Sequence, residues 1–232
     1  LNNFATNSIL NDRYAQYFGF EEVEVKELLD YYDFGECFDV TKEWYDGYRF
    51  GQTEVYNPWS VMNYAVRLLT ETDKEPRAEW INSSSNSIIR KLVEEADEET
   101  REIVEQLMHG GSIVSKLDET VTYADLDKQK ENMWNFLFFT GYMKKISEQI
   151  DGEDIYLTMC IPNKEIRYIY RNQIQAWFDK VIKGAGRDEL YRAITERDTE
   201  AIEDYLSGLL DRSISVRDNA GSFYHGPPIS LN

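Results

Sequence analysis

The sequence predicts a mainly α-helical protein with small β-hairpins and a winged-helix-like module in its middle. Three observations carry this prediction. Apolar residues recur at spacings of three and four through most of the chain. Two short strand-like stretches bracket turn residues, around "GQTE" at 51–54 and around Asp151-Gly152. The order helix, helix, strand, helix, hairpin over residues 85–161 is the plan of a winged helix.

The first helical stripe is Val25, Leu28, Leu29 and Tyr32. Tyr48 to Tyr56 then reads as a tight hairpin, entered through Asp46-Gly47, where glycine accepts backbone angles closed to other residues. Asn57 is placed to cap the next helix and Pro58 to occupy its first position, where no amide hydrogen is needed. That helix buries Val61, Tyr64, Ala65 and Leu68.

Helices follow at about 85–94 (Ile88, Ile89, Leu92, Val93), 98–108 (Ile103, Val104, Leu107, Met108) and 129–140 (Met133, Trp134, Leu137, Phe138). Asp97 caps the second and Gly110-Gly111 ends it. "SIVSKL" supplies a short strand, and 142–147 with 155–161 form the hairpin that would be the wing. Asn163 caps a long helix through about Val181. A linker is expected at 183–189, then two short amphipathic helices carrying Leu190, Ile194, Ile202, Tyr205, Leu206 and Leu209.

With 232 residues, 42% hydrophobic and 14% aromatic, the chain buries a core without disulfides or metals. Its 43 Asp and Glu outweigh 25 Lys and Arg, and a net charge of −18 repels polyanions. Nucleic acid and anionic membranes are therefore poor partners. Cys37 and Cys160 lack the spacing of a zinc or redox pair. No window approaches a membrane span, and the start lacks the layout of a secretion signal, so a cytoplasmic protein is expected. In that compartment the sequon at Asn82 carries no sugar.

"WYDGYRFGQTEVYNPWSV", Trp44 to Val61, is the most specific stretch. Local turn and cap chemistry accounts for it as a structural corner. A helix start also presents free N–H groups and positive dipole character to a phosphate, and Arg49 on the adjacent hairpin adds a charge. Both readings stand on the sequence.

The stretches "WYDGYRFG", "VYNPWSV", "WINSSSNSIIRKL", "LDETVTYADL", "WNFLFFTGYM", "LTMCIPNKEIRYIY" and "FYHG" occur in this order. In them the chain resembles the AAA-ATPase-like family of bacterial proteins that carry a PD-(D/E)XK nuclease-superfamily domain at the C-terminus. The resemblance implies that residues 1–80 are the helical lid-like region, 81–182 the winged-helix-like module, and 183–232 a helical connector and the start of a nuclease-like domain. It implies a segment lying between an ATPase core and that domain, both of them its partners. Arg49, Tyr56, Asn57 and Pro58 become the nucleotide-contacting residues, with Pro58 matched to a lid proline. ATP and magnesium are implied as cofactors of the parent and none for the segment, which contains no G-x-x-x-x-G-K-[ST] motif. Nucleic acid would be a partner of the parent and not of this acidic piece. The function implied is non-catalytic coupling of nucleotide state to the nuclease-like domain; the rivals are a protein-interaction adaptor and a DNA-binding winged helix.

The remaining constellations read as structure. His109 and His225 are far apart in sequence, which argues against a triad or a metal site. "EEADEETRE" lacks the alternating spacing of a calcium loop. "KQKENMWNFLFFTGYMKK" has basic ends, but its apolar spacing belongs to a core helix. "NKEIRYIYRNQIQAWF" sets Lys164, Arg167 and Arg171 opposite Ile166, Tyr170, Ile174 and Phe178, leaving a basic face for an acidic partner or a neighbouring domain.

Overall fold

A computed structural model describes residues 9–82, 87–126, 130–184 and 187–213. The protein is mainly helical with two small antiparallel sheets. Among the described residues no helix is long and apolar enough to cross a membrane.

The first hydrophobic cluster gathers around α3 (Pro58–Thr70), whose residues Val61, Tyr64, Ala65 and Leu68 are buried as their spacing requires. Helix α1 (Glu22–Tyr31) contributes Val25 and Leu29, and its start is tied by the Glu21 N–H donating to the Glu24 carboxylate at 2.8 Å. Helix α2 (Phe38–Tyr45), which the sequence reading did not mark, buries Thr41 and Tyr45, four and eight residues after the buried Cys37 that precedes it. Thr41 donates its hydroxyl to the Cys37 carbonyl, so its polar atom is satisfied inside the core. Strands β1 (Tyr48–Phe50) and β2 (Thr53–Val55) form the expected hairpin, with Tyr48 opposite Val55 and Arg49 opposite Glu54.

The second cluster is built by α4 (Ser87–Glu94), α5 (Glu98–Met108), α6 (Lys130–Phe139), the sheet and α7 (Lys164–Gly184). Asp97 accepts the Thr100 N–H at 2.9 Å and caps α5; beyond its end Gly110 adopts a φ of +87°. The sheet runs in the order β3 (Ile113–Lys116), β5 (Asp154–Cys160), β4 (Lys144–Asp151), antiparallel throughout, and β4 slips register between Lys145 and Ser147. Helix, helix, strand, helix, hairpin is thus the observed order, with the returning strand β5 in the middle of the sheet.

Helix α6 is enclosed. Met133, Trp134, Leu137 and Phe138 are buried, and so are two asparagines on its flanks. Asn135 accepts the Asp118 N–H and donates to the Lys116 carbonyl, while Asn132 donates to the Asp125 carbonyl. The exposed end of the β4–β5 hairpin carries Glu148, Asp151 and Glu153.

At the expected linker the helices nearly meet. Helix α7 runs to Gly184 and α8 (Arg187–Glu196) begins three residues later; residues 185 and 186 lie outside the described set. Helix α9 (Thr199–Ser213), capped by Asp198 accepting the Ala201 N–H, packs against α7 and α8. A glycine costs a helix only about 1 kcal/mol, so packing of its neighbours overrides the break that composition suggested. The sequon serines at 83 and 84, His225, and the nuclease-like opening in 214–232 lie outside the described residues.

Candidate functional site

The corner that begins at Asp46 is where the two clusters meet. Gly47 has a φ of +101°, in the left-handed region that favours glycine, and a Cβ there would lie 2.5 Å from the Pro162 carbonyl oxygen. The residue is therefore fixed both by its backbone angles and by a chain that passes against it from 115 residues further along. Tyr48 follows and packs on the second cluster, its hydroxyl buried without a hydrogen bond beside the amides of Asn57 and Asn163. Gly141 approaches the same ring, and Trp80 stacks on Tyr142 at 5.3 Å.

At the start of α3 the side chain of Asn57 accepts the Trp59 N–H at 3.0 Å, with Pro58 at the first position. The Val61 N–H donates to the Asn57 carbonyl, and Ser60 is fully buried. The donors of the first turn are thus engaged or enclosed within the protein. Tyr56 is buried beneath this turn, and burial pushes its phenol well above the usual range. The structure brings Tyr56, Asn57 and Pro58 together but sets Arg49 apart. Successive strand residues point to opposite faces, and since Tyr48 faces Asn57, Arg49 faces away, donating to Gln52 at 2.6 Å.

The group at the centre of the corner is Glu165, on the first turn of α7 and fully buried. Ser60 donates its hydroxyl to Oε2 at 2.7 Å, and the Trp80 N–H donates to Oε1 at 2.9 Å. One carboxylate thereby joins α3, the turn Glu79–Asn82 and α7. Asn163 works from the same turn. Its Oδ1 accepts the Ile166 N–H at 3.0 Å, the predicted cap, and its Nδ2 donates to the Asp46 carbonyl at 2.8 Å. Lys164 adds an exposed pair with Glu43 at 2.6 Å, and the Tyr168 ring lies against Trp44.

Electrostatically the corner is short of positive charge. No cation pairs with Glu165 among the described residues; the Arg67 guanidinium on α3 is held by Glu79 at 2.8 Å and by Glu71. Burial pushes the Glu165 carboxyl up to about 7, against the pull of Ser60 and the backbone of Trp80 and Glu79. Burial likewise pushes the Tyr45 and Tyr48 phenols far above their ordinary value, so both stay neutral. The arrangement can take up or release a proton and can join two bodies.

The sequence reading set Lys164, Arg167 and Arg171 on the exposed face of α7 but missed Glu165 between them. A signal was present: Glu165 lies four residues before Ile169, which is also fully buried, so the two share the inward flank. Asn163→Ala is expected to remove both the cap and the Asp46 hydrogen bond, lowering stability by about 2–4 kcal/mol from a lost cap and an unpaired carbonyl. Urea denaturation checks this.

Elsewhere, Asp97 caps α5, and the His109 ring contacts the Glu105 carbonyl at 2.9 Å. No cluster of metal-ligating side chains occurs among the described residues. Cys37 and Cys160 are free thiols. Comparison of the chain with protein-family models, curated proteins and solved structures gives no match.

Proposed function

We propose that the chain is a non-catalytic coupling segment, transmitting the state of a nucleotide-binding core to a nuclease-superfamily domain in an AAA-ATPase-like protein. The observation that carries the coupling half is the buried Glu165 tie between the first turn of α3 and the first turn of α7. The helix start expected to meet nucleotide and the helix leading toward the downstream module then share one carboxylate. A displacement of either reaches the other through the 2.7 Å Ser60 bond, while the 2.9 Å bond from the Trp80 N–H ties the Glu79–Asn82 turn to the same carboxylate.

The ATPase-and-nuclease half rests on the order of the sequence motifs. In this proposal Asn57 and Pro58 form the lid contact, Tyr56 anchors it from below, and Arg49 acts only through the hairpin. ATP and magnesium belong to the core, and the segment works in the cytoplasm with no membrane contact. Duplex DNA is not a partner of the segment, because α6 is enclosed and the hairpin tip is acidic.

One observation favours the adaptor reading. Trp59, Met62, Val66 and Leu69 form an exposed apolar stripe on α3, while its polar Asn63 and Thr70 bond back to the helix.

The test uses the 232-residue chain alone and joined to an upstream nucleotide-binding core. The chain alone is expected to hydrolyse no ATP and to leave labelled duplex DNA unbound. The joined protein is expected to show an ATP-dependent change in tryptophan fluorescence that Ser60→Ala reduces. Turnover by the chain alone, salt-sensitive DNA binding, or an ATP response indifferent to Ser60 would each overturn the proposal. Silence toward ATP in both forms would favour the adaptor.

A further inference from the structure

We infer that Glu165 is a proton-operated catch: neutral, it holds α7 to the corner formed by Ser60 and Trp80; ionised, it lets the two part. This deepens the coupling reading and rests on that reading for its use, though not for its chemistry.

The geometry admits the neutral form without loss. Trp80 donates to Oε1 whichever form is present. On protonation Oε2 becomes a donor, and the Ser60 hydroxyl turns from donating to accepting across the same 2.7 Å. The proton comes from water and returns to it.

The ionised form is poorly supported from every side. From α3 comes only the Ser60 hydroxyl, since Arg67 is committed to Glu79 and Glu71. From the Glu79–Asn82 turn come two backbone dipoles and the like charge of Glu79. The neutral phenols of Tyr45 and Tyr48 face the carboxylate from α2 and β1. At the start of α7 the capping Asn163 is neutral, and Lys164 is turned outward to Glu43. A fully buried charge with no cation paired to it and the like charge of Glu79 acting on it is costly.

The folded group titrates at about 7 and the exposed group at 4.5. The closed form therefore binds its proton more tightly than the open form. The hold is complete below pH 4.5 and is lost as pH rises through 7, the reverse of a salt-bridged carboxylate.

The experiment is hydrogen exchange at the Trp80 amide in the 232-residue chain, corrected for intrinsic rates, from pH 5 to pH 8. Protection is expected to fall about 70-fold over that interval. Glu165→Gln, isosteric and always neutral, is expected to hold its pH 5 protection at pH 8. Ser60→Ala, which removes a bond favouring the charge, is expected to move the fall in protection to higher pH; this reads the titration even where Glu165→Gln folds poorly. Protection independent of pH in the wild type, or an unchanged fall in Glu165→Gln, would overturn the catch. Because no nucleotide is present, this result stands apart from the coupling reading. A normal pH response together with an ATP response of the joined protein that ignores Glu165→Gln leaves the catch intact and removes the coupling.

Discussion

Gly47→Ala is expected to destabilise the protein by about 2–6 kcal/mol, the sum of a strained backbone and an overpacked contact. The alanine must hold a φ of +101°, and its methyl meets the Pro162 carbonyl oxygen at 2.5 Å, with the Lys144 ammonium at 3.2 Å. Neither the hairpin nor the chain before α7 can yield easily, because Asn163, next to Pro162, donates to the Asp46 carbonyl, next to Gly47. Gly152→Ala provides the control. It also has positive φ, at +63°, but a Cβ there meets nothing within 4 Å. Its loss should therefore stay near 1 kcal/mol, the cost of the backbone angle alone. Urea midpoints of the two variants separate the contact from the conformation, and equal losses would remove the packing argument.

Leu137→Ala is expected to cost about 2–5 kcal/mol, the range for a buried leucine that leaves a cavity. Leu137 is fully buried in the last turn of α6, and its own carbonyl receives the Tyr142 and Met143 amides, fixing the chain around the void. Collapse into the space is correspondingly restricted. Val114→Ala is the contrast: on β3 and 68% exposed, it should change stability by less than about 0.5 kcal/mol. Thermal and chemical denaturation both report the difference.

The elements that sequence made legible are those fixed by local rules. Asn57, Asp97 and Asn163 each accept an N–H two or three residues on, as residues of their type do at helix starts. The stripe Val61, Tyr64, Ala65 and Leu68 is buried throughout, and the 155–161 strand lies in the middle of its sheet, where apolar residues are expected. What escaped depends on distant neighbours. Helix α2 hides its inward side behind a threonine, satisfied only by the Cys37 carbonyl. The expected linker closes because α9 packs back on α7. Arg49 is close to α3 in sequence, and strand alternation sets it on the face opposite Tyr48. Glu165 resembles any acidic residue in a first helical turn, where it would suit the dipole while exposed. Its partners, Ser60 and Trp80, lie 105 and 85 residues earlier, and no local pattern points to them.

The register slip in β4 has its own consequence for life in a crowded solution. Sheets with open edges invite pairing with other chains, and the order β3, β5, β4 leaves both β3 and β4 at an edge. On β4 the irregularity between Lys145 and Ser147 breaks the even row of backbone groups that an incoming strand would need, and Glu148 and Asp151 add like charges along it. On β3 the edge is only four residues long and ends in a lysine engaged with Asp154. The sheet thus protects itself from intermolecular strand addition, and the aggregation that follows it, by irregularity, charge and brevity.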